Sequence, residues 1–164
     1  GDIPGDSIEW GKRKCLEDHV KVLKMHNDSL IPAQFRAFVK GTRSKFRISP
    51  RDGVMQPDEK MEMRVTGHFD DIVTFKDAIQ LTIHEGANLV IPLQARGTGT
   101  TMYCEDDLSN IDFSYQLTNK VCEWKTVLEN KGRRVQTLTW VNKTLLQKFS
   151  AAKAQEKRES EVVG

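Results

Sequence analysis

The sequence predicts an all-β protein organised as a β-sandwich, and three observations carry that expectation. Short runs alternate apolar and polar residues with period two, most regularly Met61-Glu62-Met63-Arg64-Val65-Thr66 and Ile79-Gln80-Leu81-Thr82-Ile83-His84. Turn residues separate such runs at spacings of about 10–15 residues, the rhythm of a sandwich with short strands. Between residues 8 and 103 no segment shows a helical period.

Taken in order, Val20–Met25 forms a short apolar run closed by the turn cluster His26-Asn27-Asp28-Ser29. Ala33–Val39 alternates for most of its length and stops at Gly41. Phe46-Arg47-Ile48 is a short strand ended by Ser49-Pro50-Arg51-Asp52-Gly53, where Pro and Gly set up a turn. The two alternating runs at 61–66 and 79–84 follow. Leu89–Ala95 is denser in apolar residues, contains Pro92, and ends at Gly97-Thr98-Gly99. Because proline cannot donate to a ladder, this strand is expected at a sheet edge or at a bulge.

The beginning of the chain recurs near its end. Ile8-Glu9-Trp10 is echoed by Ile111-Asp112-Phe113, and Asn27 by Asn130, both at an offset of 103 residues (8 to 111, 27 to 130). Each Asn is followed two residues later by a small residue, Ser29 or Gly132. A second apolar stretch comes next, Phe35, Ala37 and Phe38 in one copy, Leu138, Trp140 and Val141 in the other. A period of this length matches one small folding unit. The expected organisation is a complete sandwich at 8–103, the start of a second at 104–142, and a charged helical or disordered segment at 143–164. Residues 111–164 are too few to complete a second unit, and the chain starts at Gly1, so a piece of a longer protein is expected. Trp10, Phe35, Phe38, Phe46, Phe113 and Trp140 are expected to supply the core between two sheets.

Composition narrows the function classes. Charged residues make up 29% of the chain and the formal net charge is +2, so there is no excess seeking a polyanion. No apolar run reaches the ~18 residues of a membrane span. The three cysteines, Cys15, Cys104 and Cys122, are odd in number and form no CxxC pair, which favours reduced thiols in the cytoplasm over a disulfide framework.

Constellations that could carry chemistry are weak. His19, His26, His68 and His84 have no metal-ligand spacing among themselves or with a cysteine; they are expected as satisfied surface or turn residues. Gly97-Thr98-Gly99-Thr100-Thr101 lacks the Lys of a phosphate loop and is expected to be a strand exit. The basic clusters Arg43-Ser44-Lys45-Phe46-Arg47 and Lys131-Gly132-Arg133-Arg134 are expected to be solvated or to face an acidic partner, not nucleic acid. Asp70-Asp71 and Glu105-Asp106-Asp107 read as solvated loop charge. Asn27-Asp28-Ser29 and Asn142-Lys143-Thr144 fit a glycosylation sequon, which has meaning only in a secreted protein. No catalytic, cofactor-binding or metal-ligating residue is identified, no cofactor is expected, and binding residues stay unassigned.

The segment 111–140, IDFSYQLTNKVCEWKTVLENKGRRVQTLTW, resembles the opening of an ASH domain of the ciliary kind. The resemblance lies in Ile111-Asp112-Phe113, the step to Cys122, Asn130-Lys131-Gly132-Arg133-Arg134 and Trp140. The first unit resembles a full domain of the same family, through IEWG at 8–11, Asn27-Asp28-Ser29, IPAQF at 31–35, FRISP-x-x-G at 46–53 and IPLQARGTG at 91–99. The resemblance implies an immunoglobulin-like seven-stranded sandwich related to major sperm protein. It also implies a non-enzymatic scaffold role in the central-pair apparatus of the motile-cilium axoneme. The partners implied are other axonemal proteins, microtubules and neighbouring tandem domains, with neither nucleic acid nor membrane. The chain departs from the family pattern after Trp140, where a charged stretch replaces further strands. Two alternatives remain at this stage. One is a VAP-like module binding acidic peptides at membrane contact sites; the other is an extracellular adhesion domain of immunoglobulin type.

Overall fold

The computed structural model describes residues 3–109, 111, 119–141 and 143–162, the side chains of 3, 143–147, 149, 159, 161 and 162 excepted. The chain divides into two units, 1–134 and 135–164.

In the first unit the alternating runs become two packed sheets. The strands are β1 (Ile3–Pro4), β2 (Ile8–Lys14), β3 (Asp18–His26), β4 (Ala33–Val39), β5 (Phe46–Ser49), β6 (Asp52–Met55), β7 (Lys60–His68), β8 (Thr74–Ile83) and β9 (Asn88–Thr98). The larger sheet has the order β1-β9-β8-β4-β6, with β2 continuing along the same edge of β9; the smaller is β3-β7-β5. The sandwich therefore has nine strands where seven were expected. The additions arise because the first strand is split into β1 and β2, and because β6 starts inside the expected turn at 49–53. That turn, with a cis Ser49–Pro50 peptide, carries the chain from the small sheet to the large one.

Period two decides which side chains enter the core. Phe35 and Ala37 of β4, Ile79 and Leu81 of β8, and Ile91, Leu93 and Ala95 of β9 point inward from the large sheet. Phe46, Ile48, Met63 and Val65 meet them from the small one. An aromatic chain runs through the middle. Trp10 packs on Phe46 with centroids 5.1 Å apart, Phe46 meets Phe69 edge-on at 5.7 Å, and Phe69 meets Phe75 at 5.1 Å. Such pairs contribute roughly 0.5–1.5 kcal/mol each beyond their buried area. Trp10 reaches this position through a bulge. The β2–β9 register skips it between Glu9 and Gly11, and Gly11 follows at φ +66°, where a side chain would be strained. The indole Nε1 then donates to the His19 carbonyl at 3.1 Å.

Two expectations about the core need correction. Phe38 is 44% exposed, because it lies one residue out of phase with Phe35 and Ala37 and so faces outward. Trp140 is 80% exposed and belongs to the second unit. Phe113 lies outside the described residues. Pro92 is also placed differently from expectation, in an interior strand paired with β8 and with the β1/β2 edge. Its backbone nitrogen shares the side of Val90, whose carbonyl accepts from Gly5 at 2.7 Å. That side falls in the gap between the register of β1, ending at Val90, and that of β2, starting at Leu93. The missing donor therefore faces a break in the neighbouring strand, and no ladder bond is lost.

Beyond β9 the chain makes a two-residue ladder between β10 (Met102–Tyr103) and β11 (Glu129–Asn130), with Met102 opposite Asn130. The described residues of the second unit are 135–141, without regular secondary structure, and the helix α1 (Lys143–Val162). The described side chains of α1, at 148, 150–158 and 160, are all exposed. Among the described residues no helix is long and apolar enough to cross a membrane.

Candidate docking surface

A dense polar arrangement lies at one end of the sandwich, where three crossings of the chain meet. Cys15 and Leu16 leave β2, Phe69–Val73 connect β7 to β8, and Gly97–Thr101 leave β9. Backbone bonds tie them together: Cys15 N to Thr98 O at 2.9 Å, Leu16 N to Phe69 O at 2.8 Å and Gly97 N to Val73 O at 3.0 Å. The Cys15 thiol donates to the Asp71 carbonyl at 3.2 Å. Burial, reinforced by the Asp71 and Asp70 charges, pushes the Cys15 pKa up and keeps the thiol protonated.

Asp70 and Asp71 cap this end, and the basic cluster at 131–134 sits on them. Arg134 Nε lies 2.6 Å from Asp71 Oδ2, and Arg133 Nε lies 3.4 Å from the same oxygen and 3.6 Å from Asp70 Oδ1. Lys45 Nζ approaches Asp70 Oδ2 at 2.8 Å. The Arg133 guanidinium also covers the Phe75 ring at 5.1 Å, a cation–π contact that links the charged seat to the aromatic core. Burial alone raises the Asp71 pKa, but the Ile72 backbone N–H, then Arg134 and Arg133, outweigh it and hold the carboxyl below its ordinary value. Asp70-Asp71 is thus not solvated loop charge, and the 131–134 cluster is not a free basic patch. Each is the other's partner, across 62 residues.

The arm bearing those arginines is shaped by Asn130. Its side-chain nitrogen donates to Arg134 O at 2.8 Å, and its oxygen accepts from Gly132 N at 3.0 Å. Lys131 N donates to Thr101 O at 3.0 Å, and Lys131 Nζ lies 3.8 Å from the Tyr103 ring centroid. Gly132 fits because a Cβ there would lie 2.5 Å from Thr101 Oγ1 and 2.6 Å from Thr101 Cβ.

Asn27 builds a turn by the same bonds. Its side-chain nitrogen donates to Ile31 O at 2.9 Å, and its oxygen accepts from Ser29 N at 3.1 Å. It is also buried, with further donations to Met55 O at 3.0 Å and Gln56 O at 3.2 Å. The amide that a glycan would occupy is thus committed to three carbonyls, so the 27–29 sequon is a turn motif in the folded sandwich.

Other residues singled out in the sequence hold ordinary structural places. His19 Nε2 lies 2.8 Å from Lys14 O, His26 Nε2 2.8 Å from Asp58 Oδ1, and His68 Nδ1 2.8 Å from Asp18 Oδ1. The His68 hydrogen bond, with help from Arg47, lowers the Asp18 pKa. Within the first basic cluster Phe46 is core, Lys45 serves Asp70 and Arg47 meets Asp18 at 3.2 Å. Asp107 accepts from Ser109 N at 2.9 Å and Asp106 from Thr126. Cys104 and Cys122 are free, the second exposed. Among the described residues no group of three or more His, Cys, Asp or Glu is placed to hold a metal ion. The outer face of β4, β6 and β8 forms an open groove of about 650 Å³, lined by Gln34, Arg36, Asp52, Val54, Thr82 and His84.

No protein-family model matches the chain. It is similar to the human hydrocephalus-inducing protein homolog, with 31% identity over 140 residues, 84% of this chain. It is similar to the mouse hydrocephalus-inducing protein, with 34% identity over 138 residues, 82% of this chain. The chain spans about 3% of the length of either relative. Among solved structures it is similar to an ASH / PapD-like domain of human CEP192, with a TM-score of 0.53 at 13% identity, covering 56% of this chain and 80% of that domain. That likeness establishes the fold. In fold, then, the chain is an immunoglobulin-like sandwich of the ASH / PapD-like kind, and in sequence it is similar to the hydrocephalus-inducing proteins.

Proposed function

We propose that the chain is a non-enzymatic scaffold module of the motile-cilium axoneme, serving protein–protein docking in the central-pair apparatus. One observation carries this reading. The similarity to the hydrocephalus-inducing proteins covers 82–84% of the chain, more than the nine-strand sandwich occupies, so it takes in residues beyond the fold that many unrelated domains share. The geometry is in keeping with a mechanical role. Asp18, Asn27, Asp58 and the Asp70-Asp71 pair are spent on turns, on strand pairs and on the seat for the 129–134 arm. Such a module holds the next segment of chain against its own end, and an array of them sets docking faces at fixed intervals. Its place of action would be the axonemal cytoskeleton, and its partners other axonemal proteins and microtubules.

The test is capture from solubilised axonemes by the full chain, with purified tubulin run in parallel and folding checked by circular dichroism. Enrichment of central-pair components, or direct tubulin binding, is the expected outcome. A folded chain that enriches neither would overturn the axonemal reading.

A further inference from the structure

The two Asn turns are superposable in their chemistry, and one of them is docked. At an offset of 103 residues, Asn27, Ser29 and Ile31 correspond to Asn130, Gly132 and Arg134. In both turns the Asn nitrogen donates to the carbonyl four residues on, at 2.9 and 2.8 Å, and its oxygen accepts from the N–H two residues on, at 3.1 and 3.0 Å. The side chains that ride on the last two positions differ. In the second turn they are Arg133 and Arg134, and these make the contact with Asp70, Asp71 and Phe75. In the first turn the same two positions hold Leu30 and Ile31, 95% and 70% exposed, the most exposed large hydrophobic residues of the sandwich strands and their loops, 3–98.

We propose that the Asn27–Ile31 turn is the tip by which this sandwich seats on the end of another ASH-type sandwich preceding it in tandem. The seat of that partner is apolar where this chain carries Asp70 and Asp71. The occupant follows from complementarity. A second copy of this chain offers carboxylates at the seat, and covering them with leucine and isoleucine would desolvate charge without a partner. An apolar seat instead removes both side chains from water and leaves nothing unpaired. The rule is one of matched pairs: basic tip on acidic seat, as at 133–134, and apolar tip on apolar seat, as at 30–31. Matching of this kind would let an array select the order of its modules. The inference rests on the modular-scaffold reading, but its test involves no axonemal component, so failure here and failure of the capture experiment are separate results.

The test uses a tandem in which a second copy of residues 1–103 is placed directly before Gly1 of the full chain, preserving the 103-residue spacing. The upstream copy's acidic seat then faces the downstream copy's first turn. Hydrogen exchange at the downstream Asp28 amide is the readout, since Asp28 corresponds to Lys131, whose N–H donates to Thr101 O. In the unmodified tandem, apolar tip and acidic seat are mismatched and this amide exchanges as in the single chain. Leu30→Arg with Ile31→Arg in the downstream copy restores the match, and exchange slows on the order of tenfold or more. Asp70→Val with Asp71→Val in the upstream copy restores it the other way and gives the same protection. Because Leu30 and Ile31 are exposed, the arginine pair does not threaten folding and carries the test even if the valine pair does. No added protection in the folded arginine tandem would overturn the proposal.

Discussion

Asn27 and Asn130 make the same two bonds inside their own turns, yet one is buried and the other is exposed. Asn27 lies between β3 and the β6–β7 connection, where Met55 O and Gln56 O complete its donor set. The Asn130 side chain bonds only within its own turn, and that turn is held from outside by the pairing with Met102 and by Thr101, Asp70 and Asp71. The local motif is therefore a property of a few residues, while its stability is a property of what surrounds it. A sandwich supports the first turn; three ion pairs, two cation–π contacts, the short β10–β11 ladder and the Lys131–Thr101 backbone bond support the second.

Core against periphery gives the largest contrast. Trp10→Ala removes a buried indole, its tilted contact with Phe46 and its bond to His19, and is expected to cost about 3–5 kcal/mol in denaturant unfolding. Trp140→Ala, at an exposed position, is expected to fall within about 0.5 kcal/mol of the parent. Similar losses at both sites would mean that Trp140 packs as Trp10 does. The turns themselves come next. Asn27→Ala strands buried carbonyls and is expected to destabilise by about 1–3 kcal/mol, whereas Asn130→Ala costs under about 1 kcal/mol, measured by the same unfolding curves.

Acid separates the two supports. Since the Asp71 pKa is depressed in the fold, its contribution is fully present above the unfolded carboxylate value of about 3.9 and is lost as pH falls through the lower folded value. The 129–134 arm is expected to lose protease resistance below about pH 4, while the β8–β9 ladder persists. An arm that stays resistant after Asp71 is protonated would show that the ion pairs do not hold it. The smallest effect is chemical. Under native conditions alkylation should reach Cys122 first and Cys104 next, and leave Cys15 until unfolding, because Cys15 is buried with a raised pKa. Peptide mass spectrometry after short exposure to iodoacetamide reads that order.

Most strands were legible because period two survives in sequence wherever one face is buried. Met61–Thr66 and Ile79–His84 announce β7 and β8, and the Asn turns announce themselves by residue type. What stayed illegible depended on distance through space. β2 hides its alternation behind the bulge at Trp10, and β6 begins within an Asp-Gly pair that reads as a turn. Phe38 looked like core because aromatics usually are, though its phase against Phe35 already placed it outside. The pairing of Asp70-Asp71 with Arg133-Arg134 had a faint signal in two opposite charge doublets, but nothing local says that the β7–β8 connection and the turn at 130–134 will meet.

The arm on its seat is the central claim, and backbone hydrogen exchange of the full chain tests it most directly. The account predicts that the Lys131 amide, bonded to Thr101 O, is protected in the parent and loses that protection in Arg133→Ala with Arg134→Ala, while β8 and β9 keep theirs. Exchange of Lys131 at the rate of an unstructured peptide in the parent protein would contradict it.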